Sequence, residues 1–95
     1  MDEREELAAR FEMHRAYLRA VAYRMLGSTG DVDDAVQETW LRMTCCDMRQ
    51  VRDVRAWLTT TLARICLDTL RTRRSRREVP LDTHVPDPVV EPALD

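Results

Sequence analysis

Apolar residues recur at helical spacing in three stretches of this chain, and no stretch alternates with the period of a strand. Leu7, Phe11, Leu18, Val21, Ala22 and Met25 predict a first helix from about Glu5 to Leu26, with arginines between them. Gly27 follows and suits a left-handed helix end. Ser28 to Gly30 form a short connection, and Asp31 is placed to cap a second helix running to about Thr44. Val32, Val36, Trp40 and Met43 form its apolar stripe, while Asp33 and Asp34 complement the dipole of its first turn. Cys45 to Arg52 lacks a clean period and reads as a loop. Asp53 is the expected cap of a third helix, from Val54 to about Arg74. Val54, Trp57, Leu58, Thr61, Leu62, Ile65, Cys66 and Leu70 form its inward positions. Thr59, Thr60, Arg64, Asp68 and Arg71 project elsewhere. Trp40 and Trp57 lie on the apolar stripes and belong with the core. The expected fold is all-α, a small bundle of three to four helices.

The second helix has another distinctive side. Asp34, Gln37, Glu38 and Leu41 fall at i, i+3, i+4 and i+7, mixing acid, amide and one leucine. A docking surface for a basic helical partner would need this mixture. A solvated acidic face carrying one stray leucine fits the same pattern, because single exposed apolar residues are common. The spacing leaves both open.

The chain has 95 residues, which suffices for one domain with a modest core. It has two glycines and one phenylalanine, which disfavours a sheet and agrees with helices. No apolar run is long enough to span a bilayer. The start, Met1-Asp2-Glu3-Arg4-Glu5-Glu6, is acidic and unlike a signal peptide, so a cytoplasmic protein without membrane contact is expected. Cys45, Cys46 and Cys66 fit neither a disulfide framework nor paired zinc spacing. Cys66 reads as a small core residue, and a redox role for Cys45 and Cys46 needs an electropositive setting. His14 and His84 lack ligand partners, so neither a metal nor another cofactor is expected. No paired carboxylates, nucleophile–base set or glycine-rich phosphate loop is present, so the chain is not expected to be an enzyme.

Charge divides the chain. All 15 basic residues are arginines and fall within residues 1–77, beside 12 acids, a net of +3. Residues 78–95 carry five acids and no base. The third helix ends in Arg71-Thr72-Arg73-Arg74-Ser75-Arg76-Arg77, five arginines in seven residues. Cations complement a helix C-terminus, but five exceed what capping requires, and a nucleic-acid backbone is the usual anion for such a cluster. Hydroxyls on an exposed helix face, as at Thr59 and Thr60, also suit phosphate or base contacts. Beyond Val79, Pro80, Pro86, Pro88 and Pro92 interrupt any helix, which marks residues 79–95 as a Pro-rich acidic linker after a helical domain at 1–78.

From about Phe11 to Arg77 these segments resemble the sigma-2 domain of the extracytoplasmic-function (ECF) sigma factors of bacterial RNA polymerase. The resemblance rests on Asp-x-x-Asp-x-Val-Gln-Glu-x-Trp-Leu-Arg at Asp31–Arg42 and on Arg55-Ala56-Trp57-Leu58 opening the next helix. Ala63-Arg64-Ile65-Cys66-Leu67-Asp68-x-Leu70-Arg71 continues it. The chain is particularly similar to the ECF group with a C-terminal SnoaL-like extension. That group has Arg-Ala-Trp-Leu-Thr-Thr, as at Arg55–Thr60, and Pro-acid-Pro-Val in the linker, as at Pro86-Asp87-Pro88-Val89. In that case the sigma-4 domain and the extension lie outside this chain.

The resemblance implies a transcription-initiation factor without cofactors. Asp34, Gln37, Glu38 and Leu41 would dock on the clamp helices of the polymerase β′ subunit. The loop at 45–52 and the exposed side of the third helix would recognise and melt the promoter −10 element and capture a flipped non-template base. Asp47 or a neighbour would line the pocket, Thr59, Thr60 and Arg64 would face the strand beside Asp68, and Arg71, Arg73, Arg74, Arg76 and Arg77 would hold phosphates. An anti-sigma factor or the C-terminal extension would be a further partner. Two departures bear on base readout: Arg64 stands where many members have asparagine, and the loop lacks the aromatic residue often found there. The competing readings are a sigma-like helical interaction module that reads no promoter, and a small duplex-binding repressor or antitoxin.

Overall fold

The computed structural model describes residues 2–78, and the side chains of Arg77 and Glu78 are not among what it describes. The expected linker at 79–95, with Pro86–Val89 and His84, lies outside the described residues. Three α-helices pack pairwise: α1 (Glu3–Leu26), α2 (Thr29–Thr44) and α3 (Val54–Glu78). A 3-10 turn (Met48–Gln50) sits between α2 and α3. Among the described residues there is no strand, and the all-α expectation holds.

Local chemistry explains the boundaries. α1 begins two residues earlier than the apolar pattern indicates because Asp2 and Glu5 form a capping box. The Glu5 N–H donates to Asp2 Oδ1 at 2.8 Å, and the Asp2 N–H donates to Glu5 Oε1 at 3.2 Å. α1 ends where expected, at Gly27, whose φ of 75° is left-handed and whose N–H reaches the Tyr23 carbonyl at 2.8 Å.

The cap of α2 is a correction. Ser28, not Asp31, is the N-cap residue, with its carbonyl accepting from the Val32 N–H at 2.9 Å. Asp31 lies in the first turn, where its charge still favours the dipole, and its carboxylate is engaged by Arg73 of α3. Asp53 does cap α3: its Oδ1 accepts from the Ala56 N–H at 3.0 Å. α3 continues past Arg74 to Glu78, since arginines are good helix formers and the first breaker is Pro80.

One cluster holds the bundle together. Phe11, Leu18, Ala22 and Leu26 of α1 meet Val32, Ala35, Val36 and Met43 of α2 and Leu58, Leu62, Ile65 and Cys66 of α3. Met48 of the 3-10 turn is buried with them, which anchors the connecting segment. Trp40 and Trp57 are half-buried and pack against this cluster, with Trp40 tilted 60° to Phe11 at 5.4 Å. Burial pushes the Cys66 thiol above its ordinary pKa, as expected for a core thiol rather than a reactive one. Thr39 is fully buried, a position the apolar stripe missed, and its hydroxyl donates to the Ala35 carbonyl at 2.8 Å.

Replacing Leu62, fully buried, by alanine is expected to cost about 2–5 kcal/mol. Leu67→Ala, at an exposed site on the same helix, is expected to change stability by less than about 0.5 kcal/mol. Urea unfolding of the two variants followed by circular dichroism measures the difference.

Candidate functional site

The non-core faces of α2 and α3 carry the chemistry. On α2, Asp34, Gln37 and Leu41 are exposed and Glu38 is half-buried, so all four reach solvent on the side away from Val32 and Val36. Leu41 keeps 44% of its surface exposed. Glu38 Oε2 accepts from Arg42 Nε at 3.2 Å, one turn on, leaving Asp34 as the more open carboxylate. Asp33 lies round the helix and pairs with Arg19 of α1, so it fixes the α1–α2 contact instead of joining this face.

On α3 the structure brings Thr60, Arg64, Asp68 and Arg71 onto one exposed face at spacings of three and four. Leu67 lies among them, 44% exposed, and was not among the expected site residues. Its spacing three after Arg64 is the signal that would have placed it there. Thr59 is half-buried, and its hydroxyl donates to the Arg55 carbonyl at 2.7 Å, so its proton is engaged within the helix. Arg55 in turn stacks over the Tyr17 ring at 4.0 Å, tying the start of α3 to α1. Asp68 Oδ1 accepts from Arg71 Nη1 at 3.3 Å.

The terminal arginines do not form one cluster. Arg71 and Arg74 continue the outer face of α3, whereas Arg73 and Arg76 turn toward α2. Arg73 pairs with the Asp31 carboxylate and donates through Nη1 to the carbonyl of Leu26 at 3.4 Å. One guanidinium therefore joins the end of α1, the first turn of α2 and the last turns of α3. It satisfies a carbonyl that the helix end leaves without an intrahelical donor. Arg73 and Arg76, with Arg42, Asp31, Asp68, Thr69 and Thr72, line a groove of about 350 Å³ between α2 and α3. The side chain of Arg77 lies outside those described.

The loop holds a second cavity, of about 700 Å³, which Asp47, Cys46, Met48, Arg49 and Val51 share with Glu3, Glu6, Leu7 and Arg10 of α1. Asp47 starts the 3-10 turn. Its Oδ1 accepts from the Arg49 N–H at 3.1 Å and from Arg49 Nε at 3.0 Å, and its Oδ2 from Arg49 Nη2 at 3.2 Å. The Arg49 guanidinium and amide hold the Asp47 carboxyl below the usual carboxylate range. That the first turns of α1 wall this cavity had no local signal in the sequence, since the two segments meet only in the folded chain. Cys45 and Cys46 are exposed free thiols. Among the described residues no group of three or more His, Cys, Asp or Glu side chains could hold a metal ion. None of the described helices is long and apolar enough to cross a membrane.

A bundle of three α-helices is consistent with a sigma-2 domain. Residues 10–76 match the family model for sigma-70 region 2, and the chain belongs to that family, as a sigma-2 domain of the ECF type. Over 80 residues, 84% of this chain, it is 48% identical to the ECF RNA polymerase sigma factor SigJ of Mycobacterium tuberculosis, covering 25% of that protein. It is 37% identical over 82 residues to the probable ECF RNA polymerase sigma factor SigI of the same organism, 86% of this chain and 28% of that one. For the ECF RNA polymerase sigma factor SigG, also from M. tuberculosis, the figures are 35% over 94 residues, 97% of this chain and 25% of the relative. The chain thus spans about a quarter of the length of these relatives. No solved structure matches it.

Arg73→Ala is expected to lower stability by about 1–2 kcal/mol, because it leaves Asp31 and the Leu26 carbonyl without their donor. Arg76→Ala should cost under about 0.5 kcal/mol. Thermal unfolding of both variants checks this. The Asp47–Arg49 pairing depends on pH in a defined direction. Because the folded carboxyl is depressed, the pairing persists above the ordinary carboxylate pKa of about 4 and breaks as pH falls through the lowered value. The Asp47 carboxyl carbon resonance should accordingly titrate below the ordinary carboxylate range in an NMR pH series.

Proposed function

We propose that this chain is the part of an RNA polymerase sigma factor that docks on the β′ clamp helices and recognises and melts the promoter −10 element. The observation that carries the reading is the separation of two chemically distinct exposed faces on one rigid core. Asp34, Gln37, Glu38 and Leu41 lie on α2, and Thr60, Arg64, Leu67 and Arg71 lie on α3. An acidic face with one leucine suits a basic helical partner: charge steers the encounter, and the apolar contact with the amide sets the register. A cationic, hydroxyl-bearing helix face suits a single strand, whose phosphates take the arginines.

In this reading the non-template strand runs along the outer face of α3, past Thr59, Thr60, Arg64 and Asp68, toward Arg71 and Arg74, and its next phosphates are taken by Arg76, on the side toward α2, and by Arg77. The loop cavity beside Asp47 receives the unstacked base, which costs a few kcal/mol, roughly, to extrude and must be offset by interactions there. Arg73 is the exception among the terminal arginines. Its guanidinium is committed to Asp31 and Leu26, so its part in DNA binding is to orient the end of α3. Such a role operates in the cytoplasm. A sigma-4 domain, and a SnoaL-like extension or an anti-sigma factor, would complete or restrain it.

Two variants test the reading. Gln37→Ala with Glu38→Arg should abolish binding to core polymerase while leaving helicity unchanged, because both side chains lie off the core. Arg64→Ala with Arg76→Ala should weaken binding to a single-stranded −10 oligonucleotide and leave polymerase binding intact. For every phosphate the variant no longer neutralises, the log–log salt slope should fall by about 0.7. Unchanged DNA affinity in the arginine variant would leave only an interaction module. A gel shift of duplex DNA by the isolated chain at low salt would favour a repressor.

A further inference from the structure

α1 is apolar on two opposite sides, and the core uses only one. Ala9, Met13, Ala16, Ala20 and Tyr23 are separated by four, three, four and three residues, so they share a face turned away from Phe11, Leu18 and Ala22. All five are exposed, Met13 at 78% and Tyr23 at 54%. Alternating steps of four and three define a seam with the 3.5-residue repeat of paired helices. Neighbouring Tyr17 is already covered by Arg55 and does not need this explanation.

We propose that this seam is a self-association surface on which two copies of the chain pack α1 against α1, antiparallel and centred on Ala16. The occupant follows from the pattern of sizes and charges. In that register Met13 of one copy faces Ala20 of the other, and Tyr23 faces Ala9. Away from the centre large side chains meet small ones, and the two-fold axis repeats each contact. Ala16 meets its own symmetry mate, so the backbones can approach closely. The first turn of α1 carries Glu3, Glu5 and Glu6, and the last turn carries Arg24. Antiparallel packing sets acids against Arg24 at both ends and opposes the helix dipoles favourably. Parallel packing would set Tyr23 against Tyr23 and acids against acids.

The seam from Ala9 to Tyr23 is about 21 Å long, a short contact beside the ~1,200 Å² that stable interfaces bury. The dimer proposed is of the weak, transient class, with a Kd on the order of 10–100 µM. The seam is separate from the faces on α2 and α3, so the proposal stands apart from the functional reading.

Sedimentation equilibrium of the full 95-residue chain, under reducing conditions because Cys45 and Cys46 are exposed, tests it. The apparent mass should rise with concentration from 11.1 kDa toward twice that value. Ala16→Glu should hold the chain monomeric while its circular dichroism stays helical. Arg24→Glu should weaken the dimer, and adding Glu6→Arg should restore affinity to within about threefold of the parent. A monomer at about 1 mM, ten times the upper Kd above, would overturn the proposal. A dimer that survives Ala16→Glu would do so too, as would failure of the paired charge reversal to restore association.

Discussion

Every surface feature of this domain depends on the shared burial of Phe11, Leu18, Val36, Met43, Leu58 and Leu62. Each helix has one stripe to bury, and three stripes meeting in one cluster fix the rotation of each helix about its axis. That rotation is what sends Gln37 and Glu38 outward on α2 and Arg64 outward on α3. Turning α2 by one residue position, about 100°, would bury part of the acid–amide face and expose Val36. The function proposed for the two faces is thus a consequence of packing, since no local property of Asp34 or Arg64 sets its direction.

Electrostatics refines this arrangement at the end where the three helices converge. Five arginines in seven residues would repel one another on a single face. Among the described side chains, Arg71 and Arg74 face outward, Arg73 and Arg76 turn toward α2, and Asp31 takes Arg73. The Arg73 pairing is partly exposed, with about a third of each side chain accessible, so its Coulombic contribution is modest. Its geometric consequence is larger, because the same guanidinium bonds to the last carbonyl of α1. The direction in which the end of α3 leaves the bundle is tied to the turn at Gly27 and Ser28.

Much of this was legible in the sequence, for identifiable reasons. Helix number, the glycine end of α1, the Asp53 cap and most of the core follow from local rules acting over three to five residues. The outward placement of Asp34, Gln37, Glu38 and Leu41 followed from the same periodicity. Where the reading departed from the structure, some of the missing information lay far away in the chain. Asp31 was expected to cap α2, but Ser28, an equally suitable N-cap residue, starts the helix, and Asp31 pairs with Arg73, 42 positions away. The same local rule gives no sign that Arg73, expected among the phosphate-holding arginines, also pairs with Asp31. The wall that Glu3, Glu6 and Arg10 contribute to the loop cavity also needed tertiary placement. The early start of α1 is different, since the Asp2-x-x-Glu5 signature was present in the sequence and outweighed by the apolar pattern that begins after it.

The proposed function requires that one rigid core present two independent binding faces, one for a basic helix and one for single-stranded DNA. Amide chemical-shift mapping of the labelled chain, titrated separately with a β′ clamp-helix peptide and a −10 oligonucleotide, tests it most directly. Two footprints that do not overlap are expected. The peptide should move Asp34, Gln37, Glu38 and Leu41, and the oligonucleotide should move Thr60, Arg64, Leu67 and the Asp47 loop. A single footprint common to both ligands, or shifts confined to α1, would contradict it.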